Sequence, residues 1–325
     1  MRSSTRTGYL LSIGAAVVWA ATSPGIKYLL DHRVPALAIA FWRDALIALA
    51  CMLALLAVKP LLLRVSLREL RGLAIVGAIS VGFYHALWVT SVALNGAAVA
   101  VVLIYTFPTF VTLGAWLLFG ERIRWPQIAA LALALAGCAL LVRAYDPAVL
   151  QVSWLGMLVG LGTGLSHAGY VLYSQRSVET KSPWTSLTYT MLFGALALLA
   201  LWVALGSAGI TLQRPAEIVS SVGGVAPWLG LLALALGPTL GGYALFTISL
   251  RYLPGRVASL VVIVEAPVSV LMAVALLGER LEWPQICGIA LILVAATLPG
   301  LLAMDERRRT GDERRVLAAE QLADA

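Results

Sequence analysis

The chain has 325 residues, 61% of them hydrophobic and 12% charged, and a net charge of +7. A soluble domain carries about 25% charged residues, so this composition excludes an ordinary soluble fold and points to a polytopic membrane protein in a lipid bilayer. The excess of 23 Lys and Arg over 16 Asp and Glu does not imply nucleic acid, because the basic residues sit in short loops and the tail without interleaved aromatics.

An apolar run from Gly8 to Leu30 follows Arg2 and Arg6. Its start resembles a signal peptide, but it is long enough to cross ~30 Å of hydrocarbon at ~1.5 Å per residue, and a retained first span is expected. Breaks at charges, Pro and Gly give nine further spans: 36–58, 72–94, 97–119, 126–145, 153–174, 184–206, 225–250, 255–277 and 283–303. The polar tail, 304–325, is expected to be a cytoplasmic extension. Seventeen of the 23 basic residues fall on the side of the N-terminus, five fall opposite, and Arg43 lies within a span. By the positive-inside rule both termini are expected in the cytoplasm. Cys51, Cys138 and Cys287 lie inside apolar runs; their odd number and setting argue for packing rather than a disulfide or metal site.

The segment GERIRWPQI, Gly120–Ile128, recurs as GERLEWPQI, Gly278–Ile286, with seven identities in nine positions. With an offset of 159, Gly82–Pro108 matches Gly241–Pro267 without gaps, pairing Gly82 with Gly241, Tyr84 with Tyr243 and Pro108 with Pro267. A weaker match sets Trp19 against His167. The chain therefore reads as a duplication, with units at 1–145 and 153–303. Five spans per unit put the copies upside down relative to each other, the arrangement from which many transporters build two gates around one site. The expected fold is all-α: ten transmembrane helices in two inverted five-helix repeats around a central cavity.

These residues resemble the EamA type of the drug/metabolite transporter superfamily. The pattern is an apolar helix with a mid-span Pro (Pro108, Pro267) that ends in Gly-Glu (Gly120-Glu121, Gly278-Glu279), followed by a WPQ-type helix start, all of it occurring twice. Within the superfamily the sequence is most similar to bacterial aromatic amino-acid exporters of the YddG kind. The resemblance implies a basket of ten helices, alternating access, a bacterial inner membrane, cytoplasmic termini and a small-molecule substrate such as an amino acid.

Ionisable groups at membrane depth each cost about 2.5–3.5 kcal/mol to insert. Glu265 lies mid-span directly before Ala266-Pro267, and reads either as a protonatable group facing the cavity or as a packing residue bonded to another helix. His85 shares a helix face with Trp88, as His167 does with Tyr170. Each His reads as cavity-lining or as an interhelical hydrogen-bonding residue. Trp19 and Tyr105 lie deeper than an interfacial belt. The expected cavity set is therefore Trp19, His85, Trp88, Tyr105, His167 and Tyr170, with helix kinks at Pro24, Pro108 and Pro267 and proton coupling at Glu265. Arg43-Asp44 is expected to be structural, with Arg43 snorkelling outward or bonding helix ends. Glu121 and Glu279 are expected to bond backbone groups at helix ends. Trp42, Trp125, Trp154, Trp184, Trp228 and Trp283 read as interface anchors.

The function these features favour is export of neutral, aromatic amino acids. A multidrug or lipophilic-cation exporter with Glu265 as counter-charge is the alternative. An intramembrane enzyme is a third reading, and a channel or purely structural membrane protein a further one. No metal-ligand spacing, P-loop or dinucleotide-binding glycine pattern occurs, and Ser166-His167 cannot form a nucleophile–base pair, because helix neighbours diverge by about 100°. Neither an enzyme nor a cofactor is expected. The oligomeric state is not legible, and a monomer is compatible with every feature.

Overall fold

A computed structural model describes residues 3–147, 154–207, 222–277 and 281–298. The described residues contain helices and turns but no strand, as expected where lipid leaves each backbone group to be satisfied within its own segment. Eight helical stretches among them are long and apolar enough to cross a membrane, and two shorter apolar helices, Trp125–Leu141 and Trp283–Leu298, fall at the expected fifth and tenth spans. Large apolar side chains such as Leu117, Leu118, Leu53 and Val17 face outward, a surface suited to lipid rather than water. The tail 304–325 and the second Gly278-Glu279-Arg280 turn lie outside the described residues.

In chain order the helices are α1 (Ser3–Ala20), α2 (Thr22–Asp31), α3 (Ala36–Val58), α4 (Leu67–Gly77), α5 (Tyr84–Ile104), α6 (Phe107–Phe119) and α7 (Trp125–Leu141). Then follow α8 (Trp154–Thr180), α9 (Pro183–Ser207), α10 (Val225–Leu234), α11 (Leu240–Ser249), α12 (Gly255–Val262), α13 (Glu265–Leu277) and α14 (Trp283–Leu298). Three of the boundaries that differ from expectation have a visible local cause. Helix α4 starts at Leu67 rather than 72, because Ser66 and Glu69 form a capping box: Ser66 N donates to Glu69 Oε2 at 2.7 Å and Glu69 N to Ser66 Oγ at 3.3 Å. Helix α7 stops at Leu141 rather than 145, where Arg143 takes φ 59° and Ala144 N donates to Ala139 O at 2.8 Å. Helix α8 runs on to Thr180 rather than 174, since no Gly or Pro interrupts it before Pro183.

Each predicted kink coincides with a break. The helical path is interrupted at Ala21, three residues before Pro24; at Tyr105-Thr106, before Pro108; and at Ile263-Val264, before Pro267. A proline cannot donate to the carbonyl four residues earlier. Before Pro24 that carbonyl belongs to Ala20, and Ser269 Oγ of α13 donates to it at 3.4 Å. A fourth proline was not anticipated: Pro238 sits in a π-helical turn, Ala235–Thr239, and Thr239 Oγ1 donates at 2.9 Å to the Leu234 carbonyl, to which Pro238 cannot donate. A second π-turn, Ala78–Phe83, lies at the corresponding point of the first repeat. The two π-turns precede Tyr84 and Tyr243, which the offset of 159 pairs.

Glycines report how the helices run. Along α8, a Cβ on Gly156 would meet Asn95, one on Gly160 Ser91, one on Gly162 Leu87 and one on Gly169 Ser80. The chain from Ser80 to Asn95 is therefore antiparallel to α8. The same Gly160 Cβ would lie 2.8 Å from Leu103 Cβ and 2.9 Å from Ser91 Oγ, although twelve residues of straight helix would separate those two by about 18 Å. The chain thus turns back within α5, near the break expected between 94 and 97, and continues along α8 in the parallel sense through Leu103, Phe107 and Gly114. A matching antiparallel pair joins α1–α2 to α10–α11: Gly8 meets Leu253, Gly14 Leu245, Gly241 Val18 and Gly25 Leu234.

Candidate functional site

The broken helices converge on a cavity of ≈ 220 Å³ in the half of the bundle where α2 and α7 end. Trp19 and Thr22 from α1–α2, His85 and Trp88 from α5, Tyr105 from the break before α6, and His167 from α8 all border it. Glu265 and Ser269 on α13 form another wall. Of the expected set, five residues meet here. Tyr170 does not: it is 1% exposed and lies behind the wall, its hydroxyl 2.8 Å from Thr247 Oγ1 and its ring 6.2 Å from that of His167.

The cavity floor is a layer of rings. The Trp19 ring stands edge-on to Tyr243 at 5.2 Å, Tyr84 lies 4.9 Å from His167, and Phe107 meets His167 edge-on at 4.8 Å. The two edge-to-face pairs suit the aromatic quadrupole, and together the rings form an aromatic lining on this side of the cavity. Tyr84, Phe107 and Tyr243 border the cavity but were not expected there. The pairing of Tyr84 with Tyr243 in the repeat was the available signal.

The polar groups are few and specifically arranged. Asp44, fully buried, accepts from His85 Nδ1 at 2.9 Å through Oδ2, which fixes the imidazole against α3. Arg43 borders the cavity and is buried, so it neither snorkels nor bonds a helix end. Its Nε lies 3.8 Å from Asp44 Oδ1 and makes no hydrogen bond. His167 Nδ1 and Thr22 Oγ1 also lack a partner among the described residues. No group of three or more His, Cys, Asp or Glu suited to a metal ion occurs among them. Cys51 and Cys138 are buried, while Cys287 is exposed on α14 rather than packed. Trp125, Trp154, Trp184 and Trp283 are exposed near helix ends as expected of anchors, but Trp42 and Trp228 instead pack edge-on at 4.8 Å.

At the other end of the bundle, the first Gly-Glu turn does two jobs. Gly120 takes φ 68° and closes α6, with Glu121 N donating to Ala115 O at 3.2 Å. The Glu121 carboxylate pairs with Arg256 Nε at 3.0 Å and accepts from Gln175 Nε2 at 3.2 Å, so its partners are side chains of α12 and α8 rather than helix-end backbone. Gln175 Oε1 in turn accepts from Gly255 N at 2.8 Å. The Gln of each WPQ segment caps its own helix: Gln127 Oε1 accepts from Arg124 N at 3.0 Å, and Gln285 Oε1 from Glu282 N at 3.1 Å.

Known proteins share this organisation. The model of the EamA-like transporter family matches residues 6–143 and again 154–299. An uncharacterized transporter of Archaeoglobus fulgidus is 26% identical over 71% of this chain and 76% of its own length. A probable terminal-alkyne amino-acid exporter of Streptantibioticus cattleyicolor is 29% identical over 90% of this chain and 93% of its own. A solved crystal structure aligns with a TM-score of 0.76 over 92% of this chain and 98% of that one, at 20% identity, a likeness of fold. Two family matches, one on each side of the gap between α7 and α8, agree with the internal repeat: the chain belongs to the EamA-like transporter family.

Proposed function

We propose that the protein exports neutral, aromatic amino acids across a bacterial inner membrane by alternating access. The observation that carries this reading is a small cavity lined by aromatic rings and a few polar groups, the make-up of a site for an amphipathic small molecule. The substrate's ring rests on Trp19 and the Tyr84–His167 layer; its polar ends meet side chains above. The S. cattleyicolor relative, an amino-acid exporter by name, supports the same substrate class.

In this reading ten helices form two inverted five-helix units with both termini in the cytoplasm. Support comes from the exchanged contacts: the antiparallel pair α1–α2 with α10–α11 repeats, half for half, as α8 with α4–α5. The cavity lies toward one end of the bundle, while Glu121, Arg256 and Gln175 tie the other end together. That asymmetry suits a carrier resting with its outer gate open and its cytoplasmic gate closed. Breaking the Glu121–Arg256 network and bending at the Pro108 and Pro267 breaks would expose the site to the cytoplasm.

Proteoliposomes loaded with a panel of amino acids test this directly. Saturable counterflow of Trp, Phe or Tyr is expected. Absence of amino-acid flux together with movement of lipophilic cations would replace this reading by a cation exporter, which the unpartnered Glu265 carboxyl in the cavity favours.

A further inference from the structure

We propose that Arg43 is the carboxylate anchor of the cavity, and that Glu265 faces the ammonium group of the same zwitterionic substrate. This rests on the amino-acid reading above and assigns each end of the molecule a partner.

A buried arginine in a membrane helix needs an anionic partner or a function. Arg43 is 6% exposed, and its one neighbouring acid is already engaged. Asp44 gives Oδ2 to His85 at 2.9 Å, while its Oδ1 stays 3.8 Å from Arg43 Nε, outside hydrogen-bond range. The carboxylate therefore balances the guanidinium's charge without taking up its donors. The cause is helical geometry: adjacent side chains diverge by about 100°, so Asp44 turns to α5 and Arg43 turns to the cavity. A guanidinium offers five N–H groups in a planar fork that matches the two oxygens of a carboxylate.

The second observation lies in α13. Glu265 borders the same cavity and makes no hydrogen bond or ion pair, with Arg43 or any other described residue. A basic and an acidic side chain that share a small space without meeting offer partners for both ends of one ligand. A zwitterion supplies it, carboxylate to Arg43 and ammonium to Glu265, with its ring on the floor between Trp19 and Tyr84. A lipophilic cation would satisfy Glu265 but bring a second positive charge toward an arginine whose donors stay unused. The arrangement thus selects against amines that lack a carboxylate.

The test compares Trp, Phe and Tyr with their decarboxylated amines in proteoliposome counterflow. Wild-type protein is expected to prefer the amino acid. In Arg43→Gln the KM for the amino acid should rise about ten- to hundredfold, the worth of a charged hydrogen-bonding contact, while amine transport is unchanged or improved. Arg43→Lys should recover part of the loss. An unchanged KM, or equal loss for acid and amine, overturns the assignment of Arg43. A wild type that moves no amino acid overturns the exporter reading first, and this one with it. Should Arg43→Gln fail to fold, wild-type protein gives the answer through phenylglyoxal, an arginine reagent. The amino acid should suppress the adduct at Arg43, read by peptide mass spectrometry, and the amine should not; equal labelling with both overturns the proposal.

Discussion

Glu265 begins α13 directly after the break at Ile263-Val264, so its carboxyl is held at the most deformable point of a spanning segment. Having no hydrogen bond or ion pair among the described residues, it can exchange a proton with the cavity or a contact with substrate without first breaking a protein interaction. Proton-coupled export predicts that an imposed pH gradient accelerates wild-type flux, whereas in Glu265→Gln counterflow falls with the lost ammonium contact and the flux that remains ignores the gradient. If the variant still follows the gradient, coupling belongs elsewhere, and His167, with Nδ1 unpartnered, becomes the residue to examine. His85 is a poorer choice, because Asp44 already binds it. The sequence made His85, His167 and Glu265 visible because charged and imidazole groups are conspicuous in apolar helices. It concealed Arg43, since snorkelling and cavity lining are decided by rotation of α3 and not by depth. It also misjudged Tyr170, which shares a face with His167 yet lies one layer behind it.

Among the elements, Ala36–Val58 carries the bounds read from hydropathy, and all three proline breaks fall where the sequence put them. Hydropathy follows burial in lipid, so it locates apolar runs well but misses ends set by hydrogen bonds, such as the Ser66 capping box or the turn at Arg143. The first π-turn also went unread: Gly77 and Gly82, which flank and enter it, press against the Thr190 and Gly194 backbone of α9. Helices α7 and α14 show the same close approach in a form that can be tested. A Cβ on Gly288 would lie 2.6 Å from Gly137 O and 2.9 Å from Leu141 N, so the obstacle is backbone that cannot rotate away. Gly288→Val should therefore lower stability by about 1–3 kcal/mol, the usual range for overpacking, read as an earlier thermal midpoint in detergent. At Gly237 nothing lies within 4 Å of an added Cβ, so Gly237→Ala should leave the midpoint nearly unchanged. Equal shifts for the two would mean that the crossing of α7 and α14 contributes nothing special.

For the whole molecule, the central question is how the two halves sit across one bilayer. Helix α7 is a ruler: its 17 residues span about 25 Å. Just before its start, Arg122 O accepts from Arg256 Nη1 at 3.2 Å; just beyond its end, Tyr145 donates to Glu282 at 2.8 Å and Arg143 pairs with Glu282 at 3.1 Å. The residue that follows the first Gly-Glu-Arg and the one that follows the second are therefore at opposite ends of that helix. If α7 crosses the membrane, Ile123 and Leu281 face different compartments, although the sequences around them are nearly the same. Single cysteines at the two sites, in a background lacking Cys51, Cys138 and Cys287, make this measurable with an impermeant maleimide. Intact cells should label the cysteine at 281, and inside-out vesicles the one at 123. Labelling of both from one side would mean that α7 does not span the bilayer. The exchanged contacts of α1–α2 and α8 would then relate two halves lying the same way up, and alternating access would lose its structural basis.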